Sequence, residues 1–205
     1  MSSLTDQFGP IDIYLFDQLL KGRIAPGMRI LDAGCGGGRN LVYLLREGYE
    51  VFGTDADPRA VDATRRLASS LSPSLPPENF HLEPIEKMSF PEDFADVVLS
   101  SAVLHFARDE PQFNAMLRTM WRVLKPGGLF FCRLASSIGL AESQLRPTTG
   151  RRAILPDGGE YFLIDEALLL KLTTELGGEF VDPMKTSVVQ NLRSMTTWVL
   201  RKKAF

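Results

Sequence analysis

The stretch Arg29-Ile30-Leu31-Asp32-Ala33-Gly34-Cys35-Gly36-Gly37-Gly38-Arg39-Asn40 constrains this chain more than any other. The apolar run from Met28 to Ala33 reads as a strand, and it feeds directly into a glycine-rich turn. Leu41, Leu44 and Leu45 then recur at helical spacing until Gly48, so the turn is expected to open a helix. Glu50 to Thr54 reads as the next strand and ends at a second acid, Asp55. Strand, turn, helix and strand in this order build a parallel sheet. Glycines in the turn let the backbone approach a ligand, and free N–H groups at the helix start can donate to it.

Helix and strand signals go on alternating beyond this unit. Asp57-Pro58 opens a helix from Ala60 to Leu71, with Asp at the N-cap and Pro in the first turn. The prolines between Ser72 and Pro77 form a connector. Strands follow at Phe80 to Glu83 and Ala95 to Ser100. Asp109-Glu110-Pro111 starts a helix whose stripe is Phe113, Met116, Leu117, Met120, Trp121 and Leu124. Lys125-Pro126-Gly127-Gly128 ends it, Leu129 to Leu134 returns as a strand, and Asp165 caps a helix through Leu176. Glu179 to Thr186 and Leu192 to Arg201 read as a closing antiparallel hairpin. The expected fold is therefore α/β: a doubly wound, seven-stranded, mainly parallel sheet with a C-terminal antiparallel hairpin.

At ~150 residues per domain, the 205 residues make one domain, 1–205. Its lead-in segment, 1–27, is read as a helix and lid and carries a helical stripe of Ile11, Tyr14, Leu15, Gln18 and Leu19. Periodicity fails from Ser136 to Phe162, which is read as an irregular insertion on the substrate side with a turn at Pro156-Asp157-Gly158-Gly159. The formal charge of −2 argues against nucleic acid or an anionic membrane as the main partner. Apolar residues at 44% exclude wholesale disorder. Met1-Ser2-Ser3-Leu4-Thr5-Asp6 is no signal peptide, and Cys35 and Cys132 form no disulfide framework. A monomer or homodimer in the cytoplasm is expected.

The glycine turn has competing readings. The dinucleotide fingerprint G-x-G-x-x-G fails at Arg39, and an acid at the strand end would repel a pyrophosphate. Asp32 suits a ligand bearing an ammonium, and Asp55 stands where an acid commonly accepts from a ribose. A turn with no ligand at all is the plainer alternative.

Leu31-Asp32-Ala33-Gly34-Cys35-Gly36-Gly37-Gly38, Val51-Phe52-Gly53-Thr54-Asp55, Phe94-Ala95-Asp96-Val97-Val98-Leu99 and Leu124-Lys125-Pro126-Gly127-Gly128 together resemble the class I S-adenosylmethionine-dependent methyltransferases, whose fold is Rossmann-like. Gly36 to Asn40 with Tyr43-Leu44, and Thr197 to Lys203, resemble the tellurite-resistance-type branch. The resemblance implies that Gly34, Gly36 and Gly38, with Cys35 and Asn40 in the same turn, shape the wall around the amino-acid part of S-adenosylmethionine, with Asp32 close by. It implies that Asp55 takes the ribose hydroxyls, Ala56 the adenine face, and Ile85 and Glu86 the adenine surroundings. Ser100 and Ser101 fall where the family contacts the methionine portion, and a lead-in residue such as Tyr14, Phe8 or Asp12 folds over the cofactor. No metal is required.

His105, just past the fourth strand, is a candidate general base or a packing residue of a helix turn. Arg146, Arg151 and Arg152 are solvated loop charges or an anion clamp over the substrate. Ser100-Ser101-Ala102-Val103 replaces the Asn/Asp-Pro-Pro-aromatic tetrapeptide of amine methylation, so the expected acceptor is a small molecule bearing a hydroxyl, thiol, carbon acid or metalloid oxyanion. A cofactor-binding regulatory or scaffold protein without turnover is the second reading, and a nicotinamide oxidoreductase, disfavoured by Arg39 and the hairpin, the third.

Overall fold

Successive residues of each central strand go to opposite sides of one sheet. Ile30, Val97, Leu99, Phe131 and Val199 enter one buried cluster, while Leu31, Val98, Phe130, Cys132 and Trp198 enter another. The structure, a computed structural model, describes residues 3–204. Met1, Ser2 and Phe205, which fall inside the expected domain bounds, lie outside the described residues.

Strands β1 (Arg29–Ala33), β2 (Glu50–Asp55), β3 (Phe80–Leu82), β4 (Ala95–Ser101) and β5 (Leu124–Ala135) are parallel and stand in the order β3-β2-β1-β4-β5. The order reverses at β1, which opens a crevice at the carboxyl ends of β1 and β4. β11 (Arg193–Lys202) runs antiparallel to β5. Its outer edge holds two short strands, β9 (Gly178–Phe180) and β10 (Lys185–Val189). The sheet thus has seven strand positions with antiparallel C-terminal strands, as expected.

Helices α4 (Pro58–Leu71), α5 (Glu110–Val123) and α6 (Glu166–Glu175) begin where the capping acids stand. Asp57 accepts from the Arg59 N–H, Asp109 from Gln112 and Asp165 from Leu168, each satisfying a donor that the first helical turn leaves free. The stripe of α5 is buried as far as Val123, and Leu124 already belongs to β5. The lead-in segment holds two helices, α1 (Leu4–Phe8) and α2 (Ile13–Leu20), and Asp12 caps the second.

Three expectations need correction. The first strand of the hairpin, read as Glu179 to Thr186, is broken in two. Pro183 has no N–H to give the ladder, and the Asp182 carboxylate turns out to meet Gln18, Lys21 and Arg23. Those donors, Arg23 foremost, hold its pKa well below the usual carboxylate range. The strand expected from Leu129 begins at Leu124, with the pairing register shifting between Ala95 and Val97. Finally, the stretch 136–162 contains a second sheet of β6 (Arg146–Pro147), β7 (Arg152–Ile154) and β8 (Glu160–Phe162), all antiparallel. Strands of two or three residues cannot display a period of two. Ala153, Leu155 and Leu163 pack this small sheet against Ala135 and Met195.

Gly34 ends β1 with φ 86°, and a Cβ there would lie 2.6 Å from Val103 Cγ2. Gly34→Ala therefore combines a left-handed backbone penalty with overpacking, and we expect a loss of about 2–4 kcal/mol. Urea denaturation checks this: the midpoint falls at unchanged slope, whereas an unchanged midpoint contradicts the packing described.

Candidate active site

The glycine turn is held by its own backbone. The Gly34 and Cys35 N–H groups both donate to the Thr54 carbonyl, and Gly38 N–H donates to Cys35 O. Gly34, Gly36 and Gly38 all have positive φ, which a right-handed helix does not allow. The turn therefore does not open a helix directly. Helix α3 (Val42–Arg46) starts only after Leu41, which offers no side-chain cap.

Gly36 N–H donates to Asp55 Oδ2 at 2.9 Å, and Asp57 N–H donates to Asp55 Oδ1 at 2.9 Å. These two bonds fix the carboxylate at the end of β2. A Cβ on Gly36 would meet open space, whereas one on Gly38 would lie 2.7 Å from Leu67 Cδ2. The first glycine keeps a ligand surface clear and the second permits close approach of α4.

Beside the turn lies a cleft of about 720 Å³. Of the residues named from the sequence, Gly34, Cys35, Gly36, Asn40, Asp55, Ala56, Ile85, Glu86 and Ser101 line it. Glu86 is held by Gln112 Nε2 at 2.8 Å, and Ile85 forms an apolar wall with Pro84 and Met116. Gly38, Asp32, Ser100 and Tyr14 are not lining residues. Gly38 faces α4, Ser100 is wholly buried, and the Tyr14 hydroxyl lies 2.6 Å from Ser187 Oγ on β10.

The lead-in residue that reaches the site is Asp12. Its backbone N–H donates to Asn40 Oδ1, and its carboxylate accepts from Ser101 Oγ at 3.2 Å and Arg133 Nη1 at 3.1 Å. Arg39 Nη2 donates to the same Ser101 hydroxyl at 3.0 Å. This network links the lead-in helix, the glycine turn and the ends of β4 and β5.

On the far side of Arg39 is a smaller cavity of about 270 Å³. It shares Arg39, Ala102 and Phe106 with the cleft and adds His105, Arg133, Tyr161, Arg193 and Met195. The Ala135 N–H donates to His105 Nδ1 at 3.1 Å. Since an N–H can only donate, Nδ1 carries no proton and the neutral ring is protonated on Nε2. Burial, with Arg193 and Arg133 nearby, lowers its pKa to about 4. At neutral pH, His105 is a hydrogen-bond donor through Nε2, which argues against the general base anticipated from its position.

The three expected substrate arginines line neither cavity. Arg151 pairs with Asp165 at 2.9 Å. Arg152 pairs with Glu160 and donates to the Ala107 carbonyl. Arg146 is exposed on β6 beside Gln144 and Ile154. The arginines that do face the small cavity, Arg39, Arg133 and Arg193, are far apart in sequence. Only the first stood in a recognisable motif.

Asp32 lies below the turn, 2% exposed, and no described residue hydrogen-bonds its carboxyl. Burial raises its pKa to about 7; Arg39 opposes the rise and Asp55 adds to it. The Cys35 thiol is pushed up to about 12, chiefly by burial, so it is no nucleophile.

The raised Asp32 pKa has a definite sign. The folded state holds this proton more tightly than the unfolded chain, so stability falls as pH rises from about 4 to about 7, by roughly 1.4 kcal/mol per unit at the steepest, and stays lowered above that. Asp32→Asn, which cannot ionise, should gain stability over the wild type at pH 8 and little at pH 4. Urea midpoints of the two proteins at both pH values measure this. A constant difference would mean that Asp32 does not ionise in that range.

Residues 31–132 match the family model described as a methyltransferase domain. An uncharacterised methyltransferase of Synechocystis sp. is 35% identical over 107 residues, 52% of this chain and 47% of that protein. The tRNA 5-carboxymethoxyuridine methyltransferase of Escherichia coli is 28% identical over 113 residues, 55% of this chain and 42% of that protein. The chain thus spans less than half the length of these curated relatives. The Burkholderia thailandensis 1,6-didemethyltoxoflavin-N1-methyltransferase, solved with 1,6-didemethyltoxoflavin and S-adenosylhomocysteine bound, superposes with a TM-score of 0.69 at 21% identity, covering 98% of this chain and 80% of that one. The short strings that resemble the tellurite-resistance-type branch have structural work here: Asn40 holds Asp12, Trp198 Nε1 donates to Thr173, and Lys202 binds the carbonyls of Trp121 and Leu124. With the glycine turn, Asp55 and the sheet order in place, the chain belongs to the class I S-adenosylmethionine-dependent methyltransferase superfamily.

Proposed function

We propose that this chain transfers the methyl group of S-adenosylmethionine to a small-molecule acceptor, the nucleophile being a hydroxyl, thiol, carbon acid or metalloid oxyanion. The observation that carries the reading is the Asp55 carboxylate, fixed by the Gly36 and Asp57 N–H groups at the mouth of a cleft of about 720 Å³. Each carboxylate oxygen keeps lone pairs free for a pair of vicinal hydroxyls. The cofactor, when bound, supplies an activated methyl on a sulfonium centre.

The residues present fit such a group. The buried Asp32 carboxyl, which no described residue hydrogen-bonds, favours a cation nearby. The open space at Gly36 admits a ligand backbone, and Pro84, Ile85 and Met116 offer apolar cover to a planar ring beside Ala56. What the chain does itself is bind, orient and exclude water. Arg39 and Ser101 are tied together at the wall between the two cavities, which fixes the boundary between cofactor and acceptor.

The size of the cavity, about 270 Å³, and the net charge of −2 support a small acceptor over a nucleic acid, although the E. coli relative is named for tRNA. Tyr161 on β8 contributes a wall, which supports the reading of 136–162 as a substrate-side segment within one domain. A cytoplasmic location agrees with the observation that no described helix is long and apolar enough to cross a membrane.

Calorimetry with S-adenosylhomocysteine tests the cofactor. Asp55→Ala is expected to cost about 2–4 kcal/mol of binding, and Asp55→Asn less, since the amide keeps one acceptor oxygen. Unchanged affinity in both, or tighter binding of NAD than of S-adenosylhomocysteine, overturns the assignment. Methyl-labelled cofactor and a panel of small acceptors then separate turnover from mere binding: label in a product means an enzyme, and none across the panel favours the scaffold reading.

A further inference from the structure

The small cavity is lined by more positive charge than its surroundings neutralise. Among the described residues, neither Arg39 nor Arg193 stands in an ion pair: Arg39 donates to the Ser101 hydroxyl, and no side-chain hydrogen bond is found for Arg193. Arg133 has one carboxylate partner, Asp12, and its Nε is buried with no hydrogen-bond partner. Nearby acids are already engaged. Asp12 accepts from Tyr14 N–H, Ser101 and Arg133, while Asp157 accepts from Gly159 N–H and the Tyr161 hydroxyl. A buried donor without a partner is costly, so an arrangement like this one favours an incoming acceptor group.

We propose that this cavity is an anion site and that the methyl acceptor carries a carboxylate or similar oxyanion, held there by Arg39, Arg133 and Arg193 with the His105 Nε2–H as a further donor. This rests on the methyltransferase reading above and names the acceptor class. Guanidinium groups match a carboxylate with paired N–H donors, and three arginines are better suited to this than to a neutral acceptor. Burial first, and then the positive charges of Arg193 and Arg133, keep the His105 ring neutral, so the arginines here meet no competing imidazolium.

Shape adds to the charge. Phe106 lies edge-on to His105 at 4.4 Å between centroids, and Tyr161 does so at 5.2 Å. With Met195 these rings give the cavity an apolar side beside its charges, as a carboxylate on an apolar body requires. Ala102, at the junction of the two cavities, adopts φ 63° although it is not glycine. Its N–H donates to the Arg133 carbonyl at 2.7 Å, so the strained residue fixes the strand that carries Arg133.

Benzoate and its neutral counterpart benzamide are the probes. Calorimetry on the protein saturated with S-adenosylhomocysteine should show benzoate binding at least about tenfold tighter than benzamide, with Arg193→Gln and Arg39→Gln each weakening benzoate about tenfold and benzamide little. Arg193 is exposed and lines only the small cavity, so S-adenosylhomocysteine affinity in Arg193→Gln reports that the fold is intact. Equal affinities for the two probes, or benzoate binding untouched by both substitutions, overturns the anion site while the cofactor assignment stands. Failure of the wild type to bind S-adenosylhomocysteine overturns that assignment and the acceptor site with it.

Discussion

The buried Asp12 carboxylate joins parts of the chain that are remote in sequence. It caps α2 and accepts from Ser101 and Arg133, while the Asp12 backbone N–H donates to Asn40, so this one residue fixes the glycine turn and the ends of β4 and β5 relative to that helix. Removing one partner of such a buried pair costs about 3–5 kcal/mol, more than making it gains, because the other charge is left uncompensated. The lead-in segment is therefore tied to the site at its floor. Asp182 supplies a second tie at the opposite end of α2, through Gln18, Lys21 and Arg23. A lid that swung freely would break both sets of contacts. The geometry favours a fixed wall, with Phe8 stacked on Tyr43 at 4.9 Å to close the outer side.

Much of this fold could be read from local chemistry. Capping acids at Asp57, Asp109 and Asp165 mark helix starts because each satisfies a free N–H within its own turn. Long apolar strands such as β4 mark themselves by composition. What local chemistry misses is decided at a distance. The break between β9 and β10 depends on Asp182 finding Arg23, far away in the chain. The early start of β5 depends on Gly128 packing against the Asp96 carbonyl, where a Cβ would lie 2.9 Å away. The small sheet β6-β7-β8 is visible only through its pairing.

The site divides along the same line. The glycine turn, Asp55 with Ala56, and Ile85 with Glu86 follow one another at the ends of three successive strands, so a motif captures them together. The arginines do not. Arg151 and Arg152 are near one another in sequence, yet Asp165 and Glu160 neutralise them locally, because each acid is close along the chain or opposite on a neighbouring strand. Arg39, Arg133 and Arg193 converge only because β5 and β11 pair antiparallel and both carry residues to the mouth of the sheet. A charge cluster in sequence is a poor guide to a charge cluster in space. His105 shows the same limit: its position suggested a base, and only the Ala135 N–H settles which nitrogen holds the proton.

Charge is distributed unevenly between the two cavities, and that has consequences for selectivity. Asp32, Asp55 and Glu86 lie on or beneath the large cleft, whereas Arg133, Arg193 and neutral His105 surround the small one. Arg39 stands between them, pinned to Ser101 and opposing the rise in the Asp32 pKa. A cationic ligand entering the small cavity meets unpaired guanidinium groups, and an anionic one entering the large cleft meets carboxylates. Each misplacement is penalised by like-charge contact and desolvation, a form of discrimination that does not depend on close shape matching. The two chambers share Arg39, Ala102 and Phe106 among their lining residues, so in the proposed reading the cofactor and the acceptor face each other across that boundary. Arg39 stands on that boundary, and its charge bears both on the ionisation of Asp32 beneath one chamber and on the anion proposed for the other.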